Sequence, residues 1–206
     1  MKKLRLVAVV AMLAIVTVAS AQMNLGIKGG LNMSNMVGDE INDNNMKLGF
    51  HVGLAVDYNF APSMAIQTGL FFTTKGMKSE GSFLGITGSS TTNLMYLQLP
   101  VHFAYKQEVT PETRIIFHAG PYVAYGVAGK ITAEVEGLKV ADSDKVFGDG
   151  VTQLKPFDAG LGLGVGAEFG RFLVDIGWDM GLVNLANTDN AQIRNQNAYF
   201  SVGFKF

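Results

Sequence analysis

The feature that most constrains this chain is an alternation of apolar with small or polar side chains, period two, sustained along nearly its whole length. From Leu48 to Phe60, the residues Leu48, Phe50, Val52, Leu54, Val56, Tyr58 and Phe60 fall on one face, and Gly49, His51, Gly53, Ala55, Asp57 and Asn59 on the other. A strand sends successive side chains to opposite sides and gives this pattern, whereas a helix scatters it. The register recurs from Phe157 to Phe169, and again in Ala198, Phe200, Val202, Phe204 and Phe206 against Tyr199, Ser201, Gly203 and Lys205. Helical periodicity is missing, so the chain reads as all-β.

Eight strands are predicted, at about 23–34, 46–60, 63–76, 93–106, 113–129, 156–169, 171–186 and 196–206. The links between them alternate in length. Those after the second, fourth and sixth strands are short, while the others are long and rich in Gly, Ser, Asn and Asp. Short turns on one side and long loops on the other are the arrangement of an outer-membrane barrel, with both termini on the periplasmic side. An eight-stranded barrel has an interior just wide enough for side chains to fill. The seven large residues of one strand face therefore cannot all point inward, and they are assigned to lipid. A soluble lipocalin-like barrel would place them the other way round. The expected fold is an eight-stranded antiparallel transmembrane up-and-down β-barrel without an open pore. Aromatics near strand ends, among them Tyr58, Phe60, Phe103, Tyr105, Phe169 and Phe172, suit an interfacial girdle.

The N-terminus reads differently. Lys2, Lys3 and Arg5 precede an apolar run from Leu6 to Val18, and Ala19-Ser20-Ala21 has the small-x-small pattern of a signal-peptidase site. The run falls short of the roughly 20 residues that span a bilayer as a helix. Residues 1–21 are expected to be a signal peptide and 22–206 one barrel domain beginning at Gln22. Without Lys2, Lys3 and Arg5, the sixteen basic side chains become thirteen against seventeen acidic ones, a net charge of −4. A nucleic-acid partner would call for a basic face. The chain has no cysteine, which excludes disulfides and a lipoprotein anchor.

The segments "LGIKGGLNMSN" from Leu25, "GFHVGLAVDYNF" from Gly49, "YLQLPVHFAYK" from Tyr96, "GPYVAYGVAGK" from Gly120, "DAGLGLGVGAEF" from Asp158, "GLVNLAN" from Gly181 and the closing "VGFKF" together resemble the PorT-like outer-membrane β-barrel family. The resemblance covers essentially the whole chain after the leader and implies the barrel fold. It brings no catalytic motif or cofactor. For some relatives it implies a place in a protein-secretion assembly. The terminal aromatic with its alternating predecessors, Val202, Phe204 and Phe206, is similar to the signal read by the barrel-assembly machinery. Physically, a closing strand has to offer an unblunted edge to pair with the first strand, because lipid tolerates no open sheet edge.

Candidate chemistry lies on the predicted inward faces. His51, His102 and His118 all point inward, and a turn near residue 110 brings His102 beside His118. Such a pair would bind a metal or carry protons, or fill the lumen and hydrogen-bond to neighbours such as Asp57 or Tyr122. Asp158, Glu168, Asp175 and Asp179 are expected to pair with Arg171, Lys28, Lys47, Lys75, Lys106 and Lys205, since buried charges need partners. Asp175 and Asp179 on one strand have no nucleophile or substrate pocket beside them, so acid–base catalysis is not assigned. The G-x-G-x-x-A at Gly162–Ala167 keeps a strand period with no helix after it. It is not a dinucleotide turn. Inward glycines there make room for bulky groups from across the lumen.

The acidic stretch from Lys130 to Lys155 lacks calcium-loop spacing and reads as a solvated surface. The loops at Gly76–Thr92, around Asp43 and around Asn190 read as exposed contact surface. The expected function is a structural or loop-mediated binding role at the cell surface, neither enzymatic nor cofactor-dependent. Its expected partners are outer-membrane lipid, the barrel-assembly machinery during biogenesis, and an extracellular or secretion-system protein. The alternatives are a component of a secretion assembly and an enzyme modifying lipid or lipopolysaccharide. The latter would need a catalytic group at the lipid-facing rim, whereas every histidine reads as inward.

Overall fold

The computed structural model describes residues 22–38, 44–83, 86–188 and 191–206. The expected signal peptide at 1–21 lies outside the described residues, as do Asp43 and Asn190 at the centres of the two Asn-rich loops. Among the described residues nine strands follow in chain order: β1 (Met23–Val37), β2 (Asn44–Ala61), β3 (Met64–Phe83), β4 (Ile86–Thr110), β5 (Thr113–Val135), β6 (Leu138–Ser143), β7 (Phe157–Phe169), β8 (Phe172–Gly181) and β9 (Arg194–Lys205). All except β6 close into an antiparallel ring in the order β4-β3-β2-β1-β9-β8-β7-β5, with β5 returning to β4. The seam between first and last strands runs from Gly26 opposite Lys205 to Val37 opposite Arg194, so the ring leaves no edge unpaired in lipid. The eight-stranded up-and-down barrel is the fold, and β6 is an addition outside the ring.

Alternation decides the two faces. Leu54 is 63 % exposed on the outer wall, while His51 and Asp57 of the same strand are 9 % and 6 % exposed inside. Two-residue turns at 62–63, 111–112 and 170–171 mark the periplasmic end. Gly170 supplies a left-handed φ of 60° in the last of these turns. Aromatic rings line the same rim: Phe60 meets Phe103 at 6.2 Å, and Phe172 meets Phe204 at 5.3 Å.

The other end departs from expectation. β3 and β4 stay paired from Phe71 opposite Gln98 up to Phe83 opposite Ile86, and β4 and β5 continue past a register shift between Met95 and Tyr96 to Gly88 opposite Val135. The Gly76–Thr92 segment, expected as a loop, is therefore mostly strand. Beyond the lipid band nothing requires an apolar outer face. The alternation fades there while Ser and Thr continue the ladder. β4 has 25 residues, against the roughly 9–11 that cross a bilayer, so this side of the barrel rises well above it. β5 then turns through Glu136 and Gly137, at φ 51° and 77°, into β6. Two successive left-handed residues are what a type I′ hairpin turn requires. Thr87 N–H donates to Glu136 Oε1 at 2.8 Å and holds the glutamate in place. The strand expected at 171–186 ends instead at Gly181, and the chain beyond it enters the cap described below.

Candidate functional site

The lumen exists because β7 presents glycine inward at 160, 162, 164 and 166, between Asp158 and Glu168. A Cβ on Gly164 would lie 2.5 Å from His118 Nε2, and one on Gly160 would lie 2.8 Å from Tyr122 Cε1. Rings from β4 and β5 occupy the space those side chains would take.

Nearest the periplasm, Lys106 Nζ donates to Asp57 Oδ2 at 2.7 Å and to Glu168 Oε1 at 3.3 Å. Lys205 Nζ reaches Asp57 at 2.5 Å and also pairs with Glu168. Two cations and two anions from four strands thus neutralise one another, as buried charge requires. In the middle, Lys28 pairs with Asp175, whose Oδ1 lies 2.9 Å from His118 Nε2. His118 Nδ1 is 3.0 Å from His102 Nδ1, and the two rings stack at 5.1 Å. His51 Nδ1 lies 2.8 Å from Asn32 Oδ1, and its Nε2 lies 2.9 Å from Ser201 Oγ. Gln98 Nε2 donates to Asp179 Oδ2 at 2.9 Å. Higher still, Lys75 is wholly buried, with Nζ 3.6 Å from Asp158 and 4.4 Å above the Tyr122 ring. Asp158 Oδ2 also accepts from Asn195 Nδ2 at 3.0 Å.

An apolar cap closes the extracellular mouth. Val146, from the connection between β5 and β7, joins Met36, Leu94, Tyr96, Tyr122 and Ala124 in a buried cluster packed by Phe147, Leu154 and Ile193. Leu185, from the connection between β8 and β9, is fully buried, and its carbonyl accepts from Lys155 N–H at 2.8 Å. Asn187 Nδ2 ties the two connections together through the carbonyls of Gly148, Gly150 and Gln153. The Lys130–Lys155 segment is thus not a uniformly solvated acidic surface. It begins as strand and ends as cap, because its few apolar side chains find an unfilled mouth to bury in.

His51, His102, His118, Glu168, Asp175 and Asp179 all lie inside and are at least nine-tenths buried. The structure brings His102, His118 and Asp175 into one chain of hydrogen bonds, with His51 in a separate one. Arg171, expected among the lumenal charges, is instead exposed in the 170–171 turn, where its carbonyl accepts from Lys205 N–H, because the alternation has already ended at Phe169. Lys47 is also no partner for a lumenal acid, and its Nζ reaches the Leu48 carbonyl. The histidines bond to other groups than Asp57 and Tyr122, which pair with lysines and with Asp158. Val202, Phe204 and Phe206 belong to the outer wall and its rim; Phe206 is 67 % exposed, and its N–H donates to Leu25 O. Sequence reasoning missed Asn32, Gln98, Asn195 and Asn197, which strand parity alone would have placed inside. It also missed the cap residues, whose sole signal is a few apolar side chains in otherwise polar connections.

A closed eight-stranded ring with a lipid-facing apolar wall, a lumen of mostly paired charges and a capped mouth defines a membrane-spanning barrel. Residues 19–187 match the outer membrane protein beta-barrel domain, and the chain belongs to that family, whose place is the bacterial outer membrane. Among solved structures it is similar to the Neisserial surface protein NspA, at 12 % identity over 88 % of this chain and 97 % of that one, with a TM-score of 0.49. It is also similar to Ail, the attachment invasion locus protein of Yersinia pestis, solved with the heparin analogue sucrose octasulfate. That match has 13 % identity over 90 % and 99 % of the two chains and a TM-score of 0.44. OprG of Pseudomonas aeruginosa matches at 12 % identity over 89 % and 95 %, with a TM-score of 0.45. No curated protein matches the chain.

Proposed function

We propose that this protein is a non-enzymatic surface protein that binds a macromolecular partner through the sheet rising above its barrel. The observation that carries this reading is the β5–β6 hairpin. Leu138 and Val140 are 73 % and 61 % exposed there, and Val135, directly opposite Leu138, is 38 % exposed. Apolar side chains on the outer wall have lipid to meet. These stand above it, where exposed apolar surface marks contact sites. Among the described residues β6 pairs with β5 alone, so its far edge offers free backbone groups to an added strand. A filled lumen under an apolar cap is a poor conduit for solutes.

The test is surface cross-linking on intact cells with Leu138→Asp/Val140→Asp, the folded barrel being checked by heat-modifiable migration. Loss of the cross-linked partner with the barrel intact is expected. An unchanged partner set overturns the reading. Partners drawn from a secretion machine would put the PorT-like alternative in its place.

A further inference from the structure

The lumen contains one carboxylate that the ion pairs leave out. Asp57, Glu168, Asp158 and Asp175 each contact a lysine, whereas Asp179, 4 % exposed, has no lysine within salt-bridge distance among the described residues. Its hydrogen-bond partner is the neutral Gln98 amide, on Oδ2. The other oxygen, Oδ1, faces His102 across a floor without side chains. Gly162 pairs with Asp179 on one side and with Gly120 on the other, and Gly120 lies against His102 Cα. A Cβ on Gly162 would stand 2.7 Å from Asp179 Oδ1 and 2.8 Å from His102 Nε2, so the two polar atoms converge above that glycine.

His102 Nε2 is buried and has no hydrogen-bond partner among the described residues. The hydrogen-bond chain behind it sets its protonation. Asp175 is acceptor-only, so His118 Nε2 carries a proton toward it. In the neutral pair, His118 Nδ1 is then the acceptor, and His102 Nδ1 donates to it across 3.0 Å. His102 Nε2 is left with a bare lone pair. A metal-ligating imidazole usually donates its other ring N–H to a carboxylate, carbonyl or water, which sets the tautomer; here the acceptor is His118, itself anchored on Asp175. The remaining unpartnered side-chain atoms at this level, Gln98 Oε1 and Asn197 Oδ1, are also acceptors. His102, Asp179, Gln98 and Asn197 all line one cavity of about 100 Å³, which extends to Lys205 at the periplasmic end.

We propose that His102 Nε2 and Asp179 Oδ1 hold a divalent first-row transition cation in the lumen. Imidazole nitrogen with carboxylate and amide oxygen suits zinc, nickel or copper better than hard monovalent ions. The cation supplies the positive charge that Asp179 lacks.

The test is a Zn²⁺ titration of the folded full-length barrel in detergent, followed through the histidine ring nitrogens by NMR. One equivalent is expected to move His102 Nε2 and leave His51 unmoved, since both nitrogens of His51 are already engaged. Asp179→Asn should abolish the response, and Asp175→Asn, one step behind the ligand, should weaken binding roughly 10- to 100-fold. The wild-type titration stands even if a variant fails to fold. No shift at His102 in the wild type overturns the site, as does a Zn²⁺ response that survives Asp179→Asn.

Discussion

At the periplasmic end the lumen is filled by Asp57, Lys106, Glu168 and Lys205, each projected from a different strand, and at the extracellular end by Val146, Phe147, Leu154 and Leu185, each delivered by a connection. The first closure depends on register. A one-residue slip would turn a charge out to lipid and leave its partner buried and alone. The second depends on loops settling over an opening, and it can loosen without disturbing any strand pair. One lumen is thus sealed by electrostatic complementarity where the wall is regular and by apolar burial where it is not.

Removing a single charge should break the lower closure hardest. Lys106→Met leaves Asp57 and Glu168 with Lys205 alone. Breaking a buried pair costs about 3–5 kcal/mol, so the urea midpoint of folding into lipid vesicles should fall accordingly. An unshifted midpoint would mean that water already screens the quartet. In the upper closure, Leu185→Ala should cost roughly 2–3 kcal/mol, the low end for a buried leucine, because the connections can relax. The loss should show as protease cleavage between residues 144 and 156 with the barrel still heat-modifiable. Cleavage accompanied by barrel unfolding would show that the cap is part of the barrel's cooperative unit.

Between the two closures, Gly164→Ala pushes a methyl group against His118 and should cost about 1–3 kcal/mol by overpacking. Gly81→Ala, where nothing lies within 4 Å, is the control. Equal effects would remove the glycine-floor explanation. The smallest effect belongs to the exposed arm. Lys130 Nζ lies 2.9 Å from Asp142, and its hydrogen bond and charge hold that carboxyl below the usual range. A carboxylate lowered in the folded state contributes above its unfolded pKa and loses that contribution as pH falls through the lowered one. Acidification, or Asp142→Asn, should therefore speed amide exchange in β6 and leave the barrel's urea midpoint where it was. A moved midpoint would tie the arm to barrel stability.

Legibility followed the same division. Counting in twos from lipid-facing neighbours puts His51, His102, Glu168, Asp175 and Asp179 inside, where the structure has them, because lipid enforces the alternation along those strands. It failed at Arg171, one step past the strand end, and across Gly76–Thr92, where strands continue in water and no longer need an apolar face. It was silent on Val146 and Leu185, since one apolar side chain in a polar connection has no period.

The sequence by itself determined the barrel, the direction of its faces and the glycine floor of β7, because each follows from a period of two and from the volume an eight-stranded interior can hold. The tertiary structure alone decided which charges meet, that Asp179 is left facing His102, and that two connections fold inward as a cap. Those outcomes depend on shear between strands and on distances across the lumen, which join residues as far apart in the chain as Lys28 and Asp175. No local pattern encodes a contact of that kind.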